Sequence, residues 1–309
     1  MTTPPVLQSV LHPAGPDAAV MAHMAWVLFG GAALIFAAVM LLLAMSLRGA
    51  GRPVTPMRWI AGAGIAFPLV VLSVLLTWST WQSGRLSAQT SRLPLQIAVS
   101  AKMWWWEVRY PGPAGTIVSA NEIHIPAGQD VYIGLTASDV IHSLWIPALN
   151  GKMDAIPGRV TGLTLHAAKP GVYRGQCAEY CGEQHARMAL HVVAHTPADF
   201  TAWLARQAGP AAAPADAVLE RGRRAFVEQR CGACHTIRGV EDGARLGPDL
   251  THVGSRLHLA AGTLRNHRGT LASWIADPQS SKPGARMPAA ADLDGETLRA
   301  LATYLESLK

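Results

Sequence analysis

The fold class that the sequence predicts is multidomain: a two-helix transmembrane hairpin, then an all-β domain, then an all-α domain. Three observations predict it. Two apolar runs each reach the roughly 20 residues that a bilayer-spanning helix needs. Short alternating segments punctuated by proline and glycine follow them. A stretch of alanine and proline then leads into a region of helical periodicity. At 309 residues, half of them apolar, the chain has room for two domains plus extra segments. The predicted divisions are 1–23 (external segment), 24–81 (hairpin), 82–206 (β domain), 207–216 (linker) and 217–309 (helical domain).

The apolar runs are Met24–Leu47 and Trp59–Trp81, and no Asp or Glu occurs from Met21 to Trp81. Arg48, Arg52 and Arg58 are the only Lys or Arg in the first 81 residues. All lie in or beside the connection, so the positive-inside rule puts that loop in the cytoplasm and both ends outside. Trp59, Trp78 and Trp81 suit the interfacial belts. Gly51 and Pro53 should break the helix between spans, and Pro68 should kink the second. Met1–Ala22 lacks a basic leader and does not read as a signal peptide. The net charge of +6 divides evenly, +2 in each of 1–81, 82–209 and 210–309. No basic stripe is present, so a nucleic-acid binder is not expected.

In the β domain, Leu95–Val99, Glu122–Ile125, Val131–Leu135, Val160–Leu165, Val172–Gln176 and Ala189–Val193 read as strands. Several short strands with turn signals favour a sandwich or small barrel. Between the last two strands runs Cys177-Ala-Glu-Tyr-Cys181-Gly-Glu-Gln-His185-Ala-Arg-Met188. Two thiols, an imidazole and a thioether in one loop are soft ligands suited to copper. One thiolate, two His and a weak Met would make a mononuclear site. Two thiolates can bridge two copper ions, each with one His. His142 is the best candidate for the second imidazole, and the Glu179 carbonyl, between the thiolates, for the remaining axial donor. Such a site suits electron transfer. Two disulfides would be the other use of the four cysteines, but each pair comes with His and Met at metal-ligand spacing.

With that loop, the segment DVIHSLWIPALNGKMDAIPGR from Asp139 and the run Lys102-Met103-Trp104-Trp105-Trp106, residues 20–206 closely resemble subunit II of the haem-copper cytochrome c oxidases. The resemblance implies a cupredoxin-like Greek-key barrel holding the dinuclear CuA centre. It implies His142, Cys177, Glu179 (through its carbonyl), Cys181, His185 and Met188 as copper ligands. It also implies a magnesium ion shared with subunit I through the Glu179 carboxylate, and Trp104 as the place where electrons enter. Asp139 and Asp154 match family positions and are expected only to support the site or an interface. His124, His166, His191 and His195 belong to no motif and read as strand or surface residues. If the tryptophans sit in one strand, Trp104 and Trp106 share a face.

Gln207–Asp216 reads as a flexible linker that keeps the two centres at high effective concentration. Ala217–Arg230 reads as a helix running into Cys231-Gly-Ala-Cys234-His235, a c-type haem attachment motif. The thiols form thioethers and His235 reaches the iron. Zinc or thiol-redox chemistry is the other reading, but further ligands at zinc spacing are missing. Met287, the only Met after Met188, is the expected sixth ligand, since Met/His ligation raises the potential. His252, His258 and His267 compete with it. A last helix, Gly295–Leu308, takes Asp294 as N-cap and buries Leu298, Leu301, Tyr304 and Leu305. Residues 217–309, with Leu246-Gly-Pro-Asp-Leu250, resemble a class I cytochrome c.

The combined resemblance implies an oxidase subunit II that carries its own haem. Electrons pass from an external donor, such as a cytochrome c, by way of haem c and CuA to the haem-copper site of subunit I. Oxygen is reduced there to water, coupled to proton translocation. Subunit III is a further expected partner, and the bacterial inner membrane the expected location, with both termini and both metal domains on the periplasmic side. A CuA-bearing nitric oxide reductase component and a copper chaperone are the competing readings. A quinol oxidase subunit II would lack the copper ligands.

Overall fold

The structure is a computed structural model and describes residues 6–49, 55–86, 93–113 and 115–309. Gly51, Arg52 and Pro53 lie outside the described residues. Residues 16–88 and the remainder of the chain form separate compact units.

In the first unit, helix α1 spans Pro16–Leu47 and begins ahead of the expected Met24. Pro16 supplies a preset first-turn φ, and Asp17 in the first turn complements the helix dipole. The second apolar helix, Pro56–Ser83, is composite: α2 (Pro56–Trp59), a π-helical stretch Ile60–Ala66 and α3 (Phe67–Ser83). The expected irregularity at Pro68 takes this form. Pro68 has no N–H and its ring crowds the carbonyl four residues back. The ladder slips by one residue, with Phe67 N–H bonding Gly62 O.

The second unit holds two hydrophobic cores. Around the first, among the described residues, are two sheets. One has the order β5-β11-β10-β7-β8, with β1 also on β10; the other is β4-β3-β2-β6-β9. The ranges are β1 Val6–Leu7, β2 Gln96–Lys102, β3 Trp105–Gly112, β4 Gly115–Ala120, β5 Glu122–Pro126, β6 Val131–Ala137, β7 His142–Trp145, β8 Lys152–Ala155, β9 Thr161–Leu165, β10 Gly171–Cys177 and β11 Ala189–His195. Alternation in β6 (Val131, Ile133, Leu135 inward) and β2 (Ile97, Val99, Ala101 inward) fills the space between the sheets. Parallel pairings of β2 with β6 and of β11 with β5 mark the crossovers of a Greek-key barrel. Helix α4 (Pro197–Ala208), capped by Thr196, packs Phe200 and Trp203 into this core.

The second core belongs to the helical domain: α5 (Ala217–Glu228), α6 (Arg268–Ala276), α7 (Pro278–Ser281) and α8 (Gly295–Ser307), with the small hairpin β12 (His258–Leu259) and β13 (Leu264–Arg265). Asp294 caps α8 by accepting from Glu296 N and Thr297 N at 2.9 and 3.0 Å. Leu301, Tyr304 and Leu305 are buried, as the stripe predicts. Helices α5 and α8 cross at Gly222, where a Cβ would strike the Ala300 carbonyl and Tyr304. Helix α5 stops at Glu228 because Arg230 turns left-handed, with φ 55°. That turn throws Cys231 into a new short 3-10 turn.

Candidate functional site

Strands β10 and β11 are antiparallel neighbours, with Gln176 opposite Ala189. Cys177 N–H bonds Met188 O at 2.8 Å and closes the base of the loop between them. Strand β7 pairs with the end of β10, Leu144 opposite Cys177, so His142 is delivered to the loop from the neighbouring strand. The predicted donors converge. Cys177 Sγ lies 3.7 Å from Cys181 Sγ, 3.9 Å from His142 Nδ1 and 3.2 Å from Glu179 O. Cys181 Sγ lies 3.6 Å from His185 Nδ1 and 3.9 Å from Met188 Sδ. His142, both thiols and Met188 are buried.

Asp139 orients the first imidazole. Its Oδ1 is 2.8 Å from His142 Nε2, and its carboxylate also accepts from Met103 N and Val140 N at 2.8 Å. Nδ1 is thereby turned to the sulfurs, the usual arrangement of a ligating histidine braced by a carboxylate. Burial raises the Asp139 carboxyl, but His142 and the two amides outweigh it and hold it below its usual range.

The sulfurs share one site. The contact with Cys181 holds the Cys177 thiol well below its usual range, against burial and with help from His142. The same contact, with burial, pushes the Cys181 thiol up. Two thiolates this close cannot both ionise unless positive charge lies between them. Two thiols, two imidazoles, a thioether and a carbonyl, without a carboxylate, form a donor set suited to copper and unsuited to hard cations. The residues therefore fit a copper pair.

At the haem motif, both cysteines are free. His235 Nδ1 lies 2.8 Å from Pro248 O, which leaves Nε2 free of that bond. Burial pushes the His235 imidazole below its ordinary range. Met287 packs against the helical core. Its competitors are engaged elsewhere. His252 Nδ1 and Nε2 are each 3.1 Å from a carbonyl, of Lys309 and Gly209. His267 caps α6, and His258 stacks on His191 with ring centroids 4.3 Å apart. The residues present fit a covalent haem.

Trp104 departs from the strand expectation. It sits in the turn before β3, which begins at Trp105, so it does not share a strand face with Trp106. Trp106 is fully buried and lies edge-on to His142. Trp104 Nε1 donates to Cys181 O at 2.8 Å. Its ring lies against Gly182, where φ of +108° and an indole carbon 3.1 Å from any Cβ both call for glycine. Arg286 of the helical domain stands over the ring at 6.0 Å, so the residue is only partly exposed.

The linker is not the slack tether that its composition suggests. Arg238 donates to the last carbonyls of α4, Gln207 O at 2.6 Å and Ala208 O at 3.3 Å. Ala211 N bonds Arg238 O at 3.0 Å. Sequence reasoning also missed the contact between the domains. Leu257 N donates to Glu122 Oε1 at 2.6 Å, Ala189 N to Ala261 O at 3.0 Å, Arg187 Nη1 to Ser281 O at 2.8 Å and Lys282 Nζ to Trp104 O at 3.0 Å. No motif pairs these residues with one another. A buried role for a lysine is not written in a Pro-Gly loop.

Comparison with known proteins gives the following likenesses. Residues 95–195 match the family described as cytochrome C oxidase subunit II, periplasmic domain, and residues 219–309 match the cytochrome c family. The chain is 38% identical over 213 residues to cytochrome c oxidase subunit 2 of Alkalihalophilus pseudofirmus, covering 69% of this chain and 61% of that one. It is 32% identical over 256 residues to cytochrome c oxidase subunit 2 of Bacillus sp. (strain PS3), covering 78% and 71%. The chain thus spans 61% of the first of these relatives. The crystal structure of the periplasmic domain of subunit II of cytochrome oxidase of Bradyrhizobium japonicum is 30% identical with a TM-score of 0.36, covering 38% of this chain and 95% of that one.

Proposed function

The chain belongs to the cytochrome c oxidase subunit 2 family, and we propose that it is the electron-transfer subunit of a respiratory oxidase. In this reading it conveys electrons from an external donor, such as a cytochrome c, to the haem-copper site of subunit I, where oxygen is reduced to water with proton translocation. The observation that carries it is the convergence of Cys177, Cys181, His142, His185, Met188 and the Glu179 carbonyl on one loop.

When bound, a dinuclear copper centre and a covalent haem c supply one-electron storage with little change of ligation. The protein's part is to hold them. Cys177, Cys181, His142, His185, Met188 and the Glu179 carbonyl would hold the copper pair. Asp139 keeps His142 in the ligating tautomer. Cys231, Cys234, His235 and Met287 are the residues that would hold a haem.

The Glu179 carboxylate is the donor this chain would offer to magnesium shared with subunit I. Lys152 Nζ stands 3.0 Å from Glu179 and 3.4 Å from Asp154, a cationic position between carboxylates. Magnesium takes such oxygen donors and retains waters. The apolar helices anchor the chain beside subunit I, with subunit III a further neighbour. The bacterial inner membrane is the assigned location, with both termini and both metal domains periplasmic, supported by the arginines of the connection.

The test is the purified complex. Metal analysis and visible spectra should find copper and c-type haem in this chain, and reduced cytochrome c should drive oxygen uptake. Turnover of nitric oxide without oxygen uptake would move the chain to a nitric oxide reductase. Properly matured protein without copper would remove the reading altogether.

A further inference from the structure

Lys282 is 4% exposed, and its amine has acceptors from both domains. Nζ donates to Trp104 O of the β domain at 3.0 Å and to Ala260 O of the helical domain at 3.2 Å. Burying an amine is unfavourable unless its hydrogen bonds are replaced. Here the replacements are main-chain carbonyls on either side of the domain boundary. We propose that Lys282 is a positioning residue that fixes the helical domain on the β domain at Trp104 and so sets the geometry between the two redox centres. The proposal rests on the ligand reading above, in which Met287 and Cys181 hold the haem and the copper.

The surrounding contacts support it. Lys282 opens the loop that ends in Met287. Arg286 of the same loop stands over the Trp104 ring, with Nη2 3.9 Å from Met103 Sδ. The Trp104 indole donates to Cys181 O. A bonded chain therefore runs from Lys282 through the main chain and ring of Trp104 to the backbone of a copper-loop cysteine. Burial pushes the Lys282 amine down to about 8, and both the ammonium and the neutral amine can donate to two carbonyls. The bridge does not depend on charge. Its role is geometric: transfer of an electron between the two centres would change no bond or proton here, and only relative position is at stake.

The test uses the full chain with both centres loaded. Lys282→Met keeps the apolar stem and removes the donors. The visible spectra of both centres should stay as in wild type. The Ala189 and Leu257 amides, which bond across the boundary, should exchange hydrogen about tenfold faster, the loss expected for a pair of such bonds. Haem-to-copper transfer after flash reduction should slow by about tenfold as well, since small misplacements are costly. Lys282→Arg, which retains donors, should recover part of both. Unchanged exchange and unchanged transfer in Lys282→Met overturn the proposal. So does wild-type protein in which the Ala189 and Leu257 amides exchange like free surface amides, a result that needs no variant to fold. Absence of haem or copper from wild type strikes the ligand reading instead, and the exchange comparison still decides the role of Lys282.

Discussion

Asp139 Oδ1 and His142 Nε2 are 2.8 Å apart, and this bond decides which nitrogen of His142 faces the sulfurs. Asp139→Asn keeps the shape but removes the charge that fixes the tautomer. Copper affinity should fall about 10- to 100-fold. A competition titration against a chelator, followed by visible absorption, measures it. Unchanged affinity would show that the carboxylate does not brace the site.

Met188 is buried at 1% exposure with Sδ 3.9 Å from Cys181 Sγ. Met188→Leu conserves volume and should cost less than about 1.5 kcal/mol in folding stability. In the proposed ligand set it would remove a donor that stabilises the oxidised centre, so the copper potential should rise in a redox titration. An unmoved potential would take Met188 out of the ligand set.

His191 and His258 stack across the domain boundary, and the groups facing them are Glu122, Arg174 and Arg265. Burial, with the neighbouring His258, pushes His191 down to about 4, and burial lowers His258. For a base with a depressed pKa, the docked state prefers the unprotonated form. The contribution is complete above the ordinary histidine value and is lost as pH falls toward 4. The slope is about 1.4 kcal/mol per pH unit for each proton. Exchange at the Leu257 amide between pH 7 and pH 4 reports it. His191→Phe should flatten the profile, and a profile of equal slope in that variant would exclude the pair as its origin.

Arg238 is bonded to the two carbonyls that end α4. Hydrogen bonds from charged donors contribute roughly 1.5–3 kcal/mol each, so Arg238→Ala should free the segment 209–216. Limited proteolysis of the folded chain should then cut there at least about tenfold faster. Equal cutting rates would mean that Arg238 does not secure the segment.

The copper loop was legible because its donors are local. Five of them lie in the loop from Cys177 to Met188, and strands on either side announce themselves by alternation. The haem motif and the stripe on α8 were legible for the same reason. What escaped the sequence depends on partners far along the chain. Lys282 and Arg286 look like solvated charges in a Pro-Gly loop until Trp104 is brought to them. His191 and His258 carry no spacing signal, although their rings meet. Pro and Ala in 207–216 say nothing about carbonyls that Arg238 will claim. The π-helical stretch before Pro68 and the two-residue β1 are too short or too irregular for any periodic pattern to reveal.

The fastening of α4 to Arg238 bears on how fast current can flow. A carrier that swings on a leash must diffuse back for every charge, and thick solvent would slow it. A carrier already bolted in place has no such journey, so the internal step should be indifferent to added glycerol or sucrose, and only delivery from outside should feel the viscosity.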